Sequence, residues 1–101
     1  WYVQDWVGKV TRVGNINYPT EARRAGIYGD LRMLVSIRKD GTIKEVAILQ
    51  SSGSTVLDDA AIRIVRMAAP FAPFPESMRE KADELEIIRT WSFQKRGLSS
   101  G

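Results

Sequence analysis

Two apolar segments flanking Asp40-Gly41 constrain this chain more than any other feature. Leu31, Met33, Val35 and Ile37 alternate with Arg32, Leu34, Ser36 and Arg38. That period of two is the signature of a strand with one buried face. Asp-Gly is a hairpin turn signal, and residues 43–50 supply a second strand. The hydrophobic pattern selects the register, because a slip of one residue would turn every side chain to the other face. A two-residue Asp-Gly loop pairs Val35 with Val46 and Met33 with Ile48 on one face. A three-residue loop with a bulge would set Val35 opposite Glu45 and bury a charge, so the first register is expected. The second face of the pair carries Leu34, Ala47 and Leu49 and is not fully polar.

A third strand follows at residues 85–94, with Leu85, Ile87, Trp91 and Phe93 on one face and Arg89 interrupting them. Between hairpin and third strand lies a helix at residues 55–68. Thr55 is its expected N-cap, and Asp58 and Asp59 sit in its positive first turn. Val56, Ala60, Ile64 and Ala68 make one row, flanked by Ala61 and Val65, and the helix stops before Pro70. Residues 70–75, Pro-Phe-Ala-Pro-Phe-Pro, have two readings: a polyproline ligand for a partner, or a crossover whose two Phe close the core edge. Residues 76–84 read as a charged loop or helical turn.

Ahead of the hairpin, Tyr18-Pro19 opens a short helix that Gly26 ends, with proline at the start and glycine just past the end. Val3, Trp6, Val7, Val10 and Val13 share one face of a further helix, which Gly14-Asn15-Ile16-Asn17 breaks. A helix this short needs something to pack on. Its own domain, a partner and the second face of the sheet are all open to it.

The economical arrangement is α+β. It is a three-stranded antiparallel sheet with the third strand beside the first, two helices packed on one face, and the extra N-terminal amphipathic helix. One domain is what 101 residues allow. The expected division is an amphipathic helix or linker end at 1–14, a domain at 15–95 and a flexible polar tail at 96–101. The second and last strands are left as open edges. Because the chain opens on Trp1 rather than Met, an anchor or linker ahead of it is expected.

Whole classes of chemistry are missing. The chain has no His and no Cys, so it has no imidazole base, thiol nucleophile, thiolate metal site or disulfide. Asp58 and Asp59 are neighbours on a helix and point about 100° apart, so they cannot share a substrate. No Walker loop, dinucleotide fingerprint or nucleophile elbow is present. The expectation is therefore no enzyme, no cofactor and no metal. Residues 67–75 are the longest uncharged apolar run, too short to span a bilayer. The net charge of +3 permits anionic partners. Gly26-Ile27-Tyr28-Gly29 has the GxxG shape of an RNA-backbone loop. It reads better as a helix stop and a turn into the strand, so no nucleic-acid partner is expected. The strongest binding feature is an open strand edge, a template for adding another strand. Arg89, Lys95 and Arg96 near the last strand would attract an acidic peptide, or would blunt the edge.

An ordered series of residues carries a resemblance. Tyr18-Pro19-x-x-Ala22-Arg23-x-x-Gly26-x-x-Gly29 runs into a strand. Asp40-Gly41 follows, then Ser51-Ser52-Gly53-x-x-x-Leu57-Asp58-x-Ala60-Ala61, then Phe71-x-Pro73-Phe74-Pro75 and Arg89-Thr90-Trp91-x-Phe93. Over residues 15–94 this series resembles the C-terminal domain of the TonB family of energy transducers. The resemblance implies a periplasmic domain tethered to the inner membrane by an N-terminal anchor. Such a domain would be driven through that anchor by the ExbB–ExbD motor. It would bind outer-membrane receptors by taking their extended TonB box as an added strand, so that siderophores, haem or cobalamin enter. It also implies the partner-binding residues: Ile87, Ile88, Arg89, Thr90, Trp91, Ser92 and Phe93 on the last strand, and Asn15, Ile16 and Asn17 before Tyr18-Pro19. Asn15 would supply an amide donor and acceptor. The alternative is a TonB-like adaptor module for other envelope machinery. Open edges are also compatible with a strand-swapped homodimer.

Overall fold

The central hairpin adopts the register that its apolar face requires, but reaches it through a different turn. The computed structural model describes residues 2–100. β1 (Gly29–Arg38) and β2 (Ile43–Gln50) are antiparallel, with Val35 opposite Val46 and Met33 opposite Ile48. The Arg38 N–H donates to the Thr42 carbonyl and the Gly41 N–H to the Arg38 carbonyl, both at 2.8 Å. Gly41 stands at φ 90°, so Lys39, Asp40 and Gly41 form a three-residue turn. That turn alone would bring Glu45 opposite Val35. An extra residue in β2, Lys44, shifts the pairing back, so that Ile37 faces Ile43 and Ser36 faces Glu45. A bulge sets two residues against one; here it keeps a carboxylate out of the core. A second irregularity, at Leu49, lies between the pairs Met33–Ile48 and Arg32–Gln50.

Gly41 also makes a close approach. A Cβ there would stand 2.0 Å from the Phe71 carbonyl oxygen. The Phe71 N–H donates to the Gly41 carbonyl and the Phe74 N–H to the Lys39 carbonyl, each at 2.9 Å. The hairpin tip thus holds the proline-rich crossover, and Phe71 and Phe74 are buried. Of its two readings, the core-edge one describes this segment.

α2 (Thr20–Ala25) ends at Gly26, which is left-handed at φ 67°. There the Ile27 N–H closes on the Ala22 carbonyl at 2.8 Å. The GxxG residues are therefore a helix stop and the first residue of β1. α3 (Thr55–Ala68) buries Leu57, Ala60, Ala61, Ile64, Val65 and Ala68. Its N-cap is Ser54, not Thr55: the Ser54 side chain accepts from the Leu57 N–H. Asp58 is used elsewhere. It accepts from the Ser51 hydroxyl, from the Ser52 N–H (3.0 Å) and from the Ser52 hydroxyl (2.7 Å), fastening the loop that enters the helix. Burial alone would raise its pKa. The three hydrogen bonds outweigh that and hold it below the ordinary value.

α1 (Tyr2–Ile16) is longer than expected and runs through Gly14 and Asn15. Gly14 is a packing residue rather than a stop. A Cβ there would approach Leu98 Cδ2 to 2.4 Å and Ile64 Cγ2 to 3.3 Å. The helix lies on the same side of the sheet as α3, so it does not cover the second face. Trp6 stacks edge-on against Trp91 (5.9 Å) and tilts against Phe71 (5.7 Å), and Tyr2 meets Phe74 at 5.2 Å. Aromatic contacts of this kind are worth about 0.5–1.5 kcal/mol each beyond the area they bury. After the single turn of α4 (Glu76–Arg79), β3 (Glu84–Gln94) pairs antiparallel with β1 from Arg38–Glu84 to Gly29–Phe93. The fold is α+β, as expected.

The strand count differs. The last residues, expected as a flexible tail, form β4 (Gly97–Ser100), and the sheet order is β2-β1-β3-β4. Lys95 and Arg96 make a two-residue reversal, with Gly97 at φ 139°, and Leu98 turns into the core at 5% exposure. A buried apolar side chain and a partner strand order what composition alone reads as loose.

Candidate partner-binding edge

β3 is bonded unequally on its two sides. Towards β1 it pairs over ten residues, from Glu84 to Phe93. Towards the outside, β4 covers only Trp91, Ser92, Phe93 and Gln94. The outer main chain of residues 84–90 has no strand beside it among the described residues. Along this strand the side chains alternate. Ile87, Trp91 and Phe93 are buried under the helices, whereas Ile88 is 44% exposed on the opposite face, near the half-buried Thr90 and Ser92. Arg89 points to the helix side and donates through Nε to the Ser100 hydroxyl at 3.2 Å. That hydroxyl also reaches the Thr90 carbonyl at 3.4 Å.

The second group of expected site residues ends α1. Ile16 is 83% exposed. Asn17 is exposed too, but its amide turns back to the Val13 carbonyl at 2.9 Å. Asn15 uses both ends of its amide within the chain. Its Oδ1 accepts from the Leu98 N–H at 3.0 Å, and its Nδ2 donates to the Leu98 carbonyl at 3.3 Å and to the Thr11 carbonyl at 3.0 Å. The side chain therefore treats β4 as a neighbouring strand would. Gly97 permits this closeness, since a Cβ there would come within 2.3 Å of Asn15 Oδ1. β4 thus lies in a slot with β3 on one side and Asn15 on the other. Both expected groups border that slot.

Tyr18 braces the end of β3. Its hydroxyl donates to the Gln94 carbonyl at 2.8 Å, its ring meets Phe93 edge-on at 5.7 Å, and the Arg23 guanidinium lies 4.2 Å from the ring centre. Burial raises the Tyr18 pKa, against the lowering effect of Arg23. β4 stands where a flexible tail was expected. Two signals for it stand in the sequence: Gly97 three residues past Gln94, and Leu98 as the one apolar residue of a polar end. Among the described residues, no group of acidic side chains is arranged to hold a metal ion. No helix there is long and apolar enough to cross a membrane.

Comparison with known proteins puts a family to this arrangement. The family model for the Gram-negative bacterial TonB protein C-terminal region matches residues 14–95. Protein TonB of Pseudomonas putida is 30% identical over 80 residues, covering 78% of this chain and 33% of that protein. Protein TonB of Helicobacter pylori is 30% identical over 59 residues, covering 58% of this chain and 21% of that protein. The matches thus span a third or less of the length of these relatives. The solution structure of the H. pylori TonB C-terminal domain superposes with a TM-score of 0.69 at 19% identity, covering 95% of this chain and 96% of that one, a likeness of fold. With a family model matched over residues 14–95 and a fold that agrees with it, the chain belongs to the TonB C-terminal domain family.

Proposed function

We propose that this domain is the periplasmic receptor-binding part of a TonB-like energy transducer. Its reaction is mechanical. An extended segment of an outer-membrane active transporter, the TonB box, adds beside β3, and force from the inner-membrane proton motive force is passed through that pairing. The motor, of the ExbB–ExbD kind, would act through an N-terminal anchor. A strand pairing loaded along its length shares force over several hydrogen bonds and needs no catalytic residue. The observation that carries the reading is the outer edge of β3, which has no strand beside residues 84–90 among the described residues and is closed at 91–94 by four residues of β4.

The slot gives the reading a definite form. A segment that pairs with β3 from Ile87 to Phe93 must replace β4 over the last three of those positions. Asn15 would then offer its amide to the incoming backbone in place of Leu98. Exchange of like for like keeps the net gain small, which suits a coupling that must release after each cycle. An interface below about 1,200 Å² is in the range of transient complexes, and micromolar affinity is expected.

The test is an amide NMR titration of the chain with a panel of receptor N-terminal peptides. Saturable shifts along residues 87–93 and 15–17, together with loss of the Leu98 contacts, are expected. A chain ending at Arg96 should bind the same peptide more tightly, because nothing has to leave the slot. Shifts confined to residues 23–29 would overturn the strand-adding reading. The absence of any shift in a confirmed monomer would favour the adaptor reading, which loss of an envelope trait other than iron-source growth would identify.

A further inference from the structure

The sheet has a second face that carries no helix among the described residues, since α1 and α3 pack together on the side where Leu31, Met33, Val35 and Ile37 are buried. Along β1 that face holds Asp30, Arg32, Leu34, Ser36 and Arg38 in turn, with Asp30, Arg32 and Arg38 exposed, Leu34 half-buried and Ser36 buried. Across the sheet, Leu34 lies between Ala47 and Ile88, and Ser36 lies between Glu45 and Glu86. The centre is therefore apolar. Ile88 is 44% exposed, and Leu49 at the neighbouring bulge is 51% exposed. Asp30, Arg32, Glu45 and Glu86 are all exposed and form no ion pair among the described residues; the two pairs present there are Lys39–Asp83 and Lys44–Glu84.

The charges are arranged symmetrically about Leu34. Arg32 stands two residues before it and Ser36, with its flanking carboxylates, two residues after it. Asp30 and Arg38 stand four residues away on either side. We infer that this face pairs with the same face of a second copy of the chain, about a two-fold axis that crosses the strands at Leu34. Rotation about that axis keeps each strand over its own counterpart and reverses its direction. Leu34 and Ile88 then pack on their equivalents. Each Arg32 faces Ser36 of the other copy, between that copy's Glu45 and Glu86, and each Asp30 faces Arg38 of the other copy. Packed sheets stand about 10 Å apart and neighbouring strands about 4.8 Å, so an arginine fork reaches either glutamate. Stacking antiparallel sheets within about 30° of alignment is an ordinary packing mode. An isologous contact of this kind closes on itself and cannot propagate. It leaves the outer edge of β3 free, so it is compatible with a strand adding there.

The patch is three strands wide, so the dimer is weak, with a dissociation constant on the order of 100 µM. Sedimentation equilibrium of the chain up to about 1 mM should show a monomer–dimer equilibrium that weakens with added salt. Arg32→Glu sets like charges together at two symmetric places and should weaken dimerisation at least tenfold. Adding Glu45→Arg and Glu86→Arg to that variant should restore the dimer. Ile88→Lys should abolish it, with the thermal melting curve as the check that each variant folds. A chain that stays monomeric at 1 mM would overturn the inference. So would a dimer indifferent to Arg32→Glu and Ile88→Lys, since that dimer would be built by strand exchange or through the helices. A triple variant that folds but stays monomeric would overturn the proposed charge pairing.

Discussion

β1 and β4 are strands of the same sheet held by opposite means. β1 pairs on one side with β2 and on the other with ten residues of β3, and Leu31, Met33, Val35 and Ile37 are all at most 1% exposed. β4 has four residues, with one strand partner, one buried side chain and the Asn15 amide of α1 to hold it. The first is held by burial and a long ladder, so it opens only when the domain unfolds. The second is held by a handful of contacts, and elements of that kind open locally at a small fraction of the global cost. The proposed strand exchange would need both: a seam that bears load, and beside it a place that is easily vacated.

The contrast can be broken at its strong end first. Trp91→Ala removes a ring that is 1% exposed and touches Trp6, and should cost about 3–5 kcal/mol of global stability by chemical denaturation. A much smaller loss would mean that the seam under α1 is not the anchor described. At the weak end, Asn15→Ala leaves the Leu98 N–H and carbonyl without their partner. It should cost about 1–3 kcal/mol, felt mainly by β4. Hydrogen exchange at Leu98 and Ser99 should speed up at least tenfold while the amides of residues 31–37 keep their protection. If both groups speed up together, β4 is part of the global unit and the comparison fails. Gly97→Ala should act in the same direction, through the clash with Asn15 Oδ1.

Tyr18→Phe sharpens the boundary between the two regions. It removes the hydrogen bond to the Gln94 carbonyl but keeps the ring on Phe93, so about 1 kcal/mol is expected, measured by thermal unfolding. The smallest effect concerns acid. The Asp58 pKa is lowered in the folded state, so its contribution is present above its unfolded pKa and is lost as the pH falls below about 4. Asp58→Asn should flatten part of the acid limb of stability and leave the part due to Asp40, whose pKa the hydrogen bonds from Thr42 also lower. Its effect should be global, with no preference for β4.

Much of this molecule was legible in advance wherever neighbours in sequence are also neighbours in space. The hairpin register was legible from alternation, and Gly26 from its place after Ala22 and Ala25. The helix at 55–68 was legible to within a cap residue, Ser54 doing what Thr55 was expected to do. The helix-ending role given to Gly14 failed because its reason lies 50 and 84 residues away, in the side chains of Ile64 and Leu98. The hairpin loop failed for a related cause. Asp40-Gly41 signals a turn but not its length, and Gly41 also has to let the Phe71 carbonyl approach.

The candidate site divides the same way. The strand at 87–93 was readable from its pattern, and Asn15 was readable as an amide with both a donor and an acceptor. That the slot between them already holds Leu98 was not. By itself the sequence determined which faces are apolar, where helices stop and which register the hairpin takes, because local sterics and short-range periodicity act within a few residues. Only the tertiary structure decided that α1 joins the helical face, that a polar end becomes a strand, and that one side of β3 is half closed. Four residues have too few contacts of their own to offset the entropy of ordering them. They become a strand only when β3, Asn15 and the pocket for Leu98 are already in place.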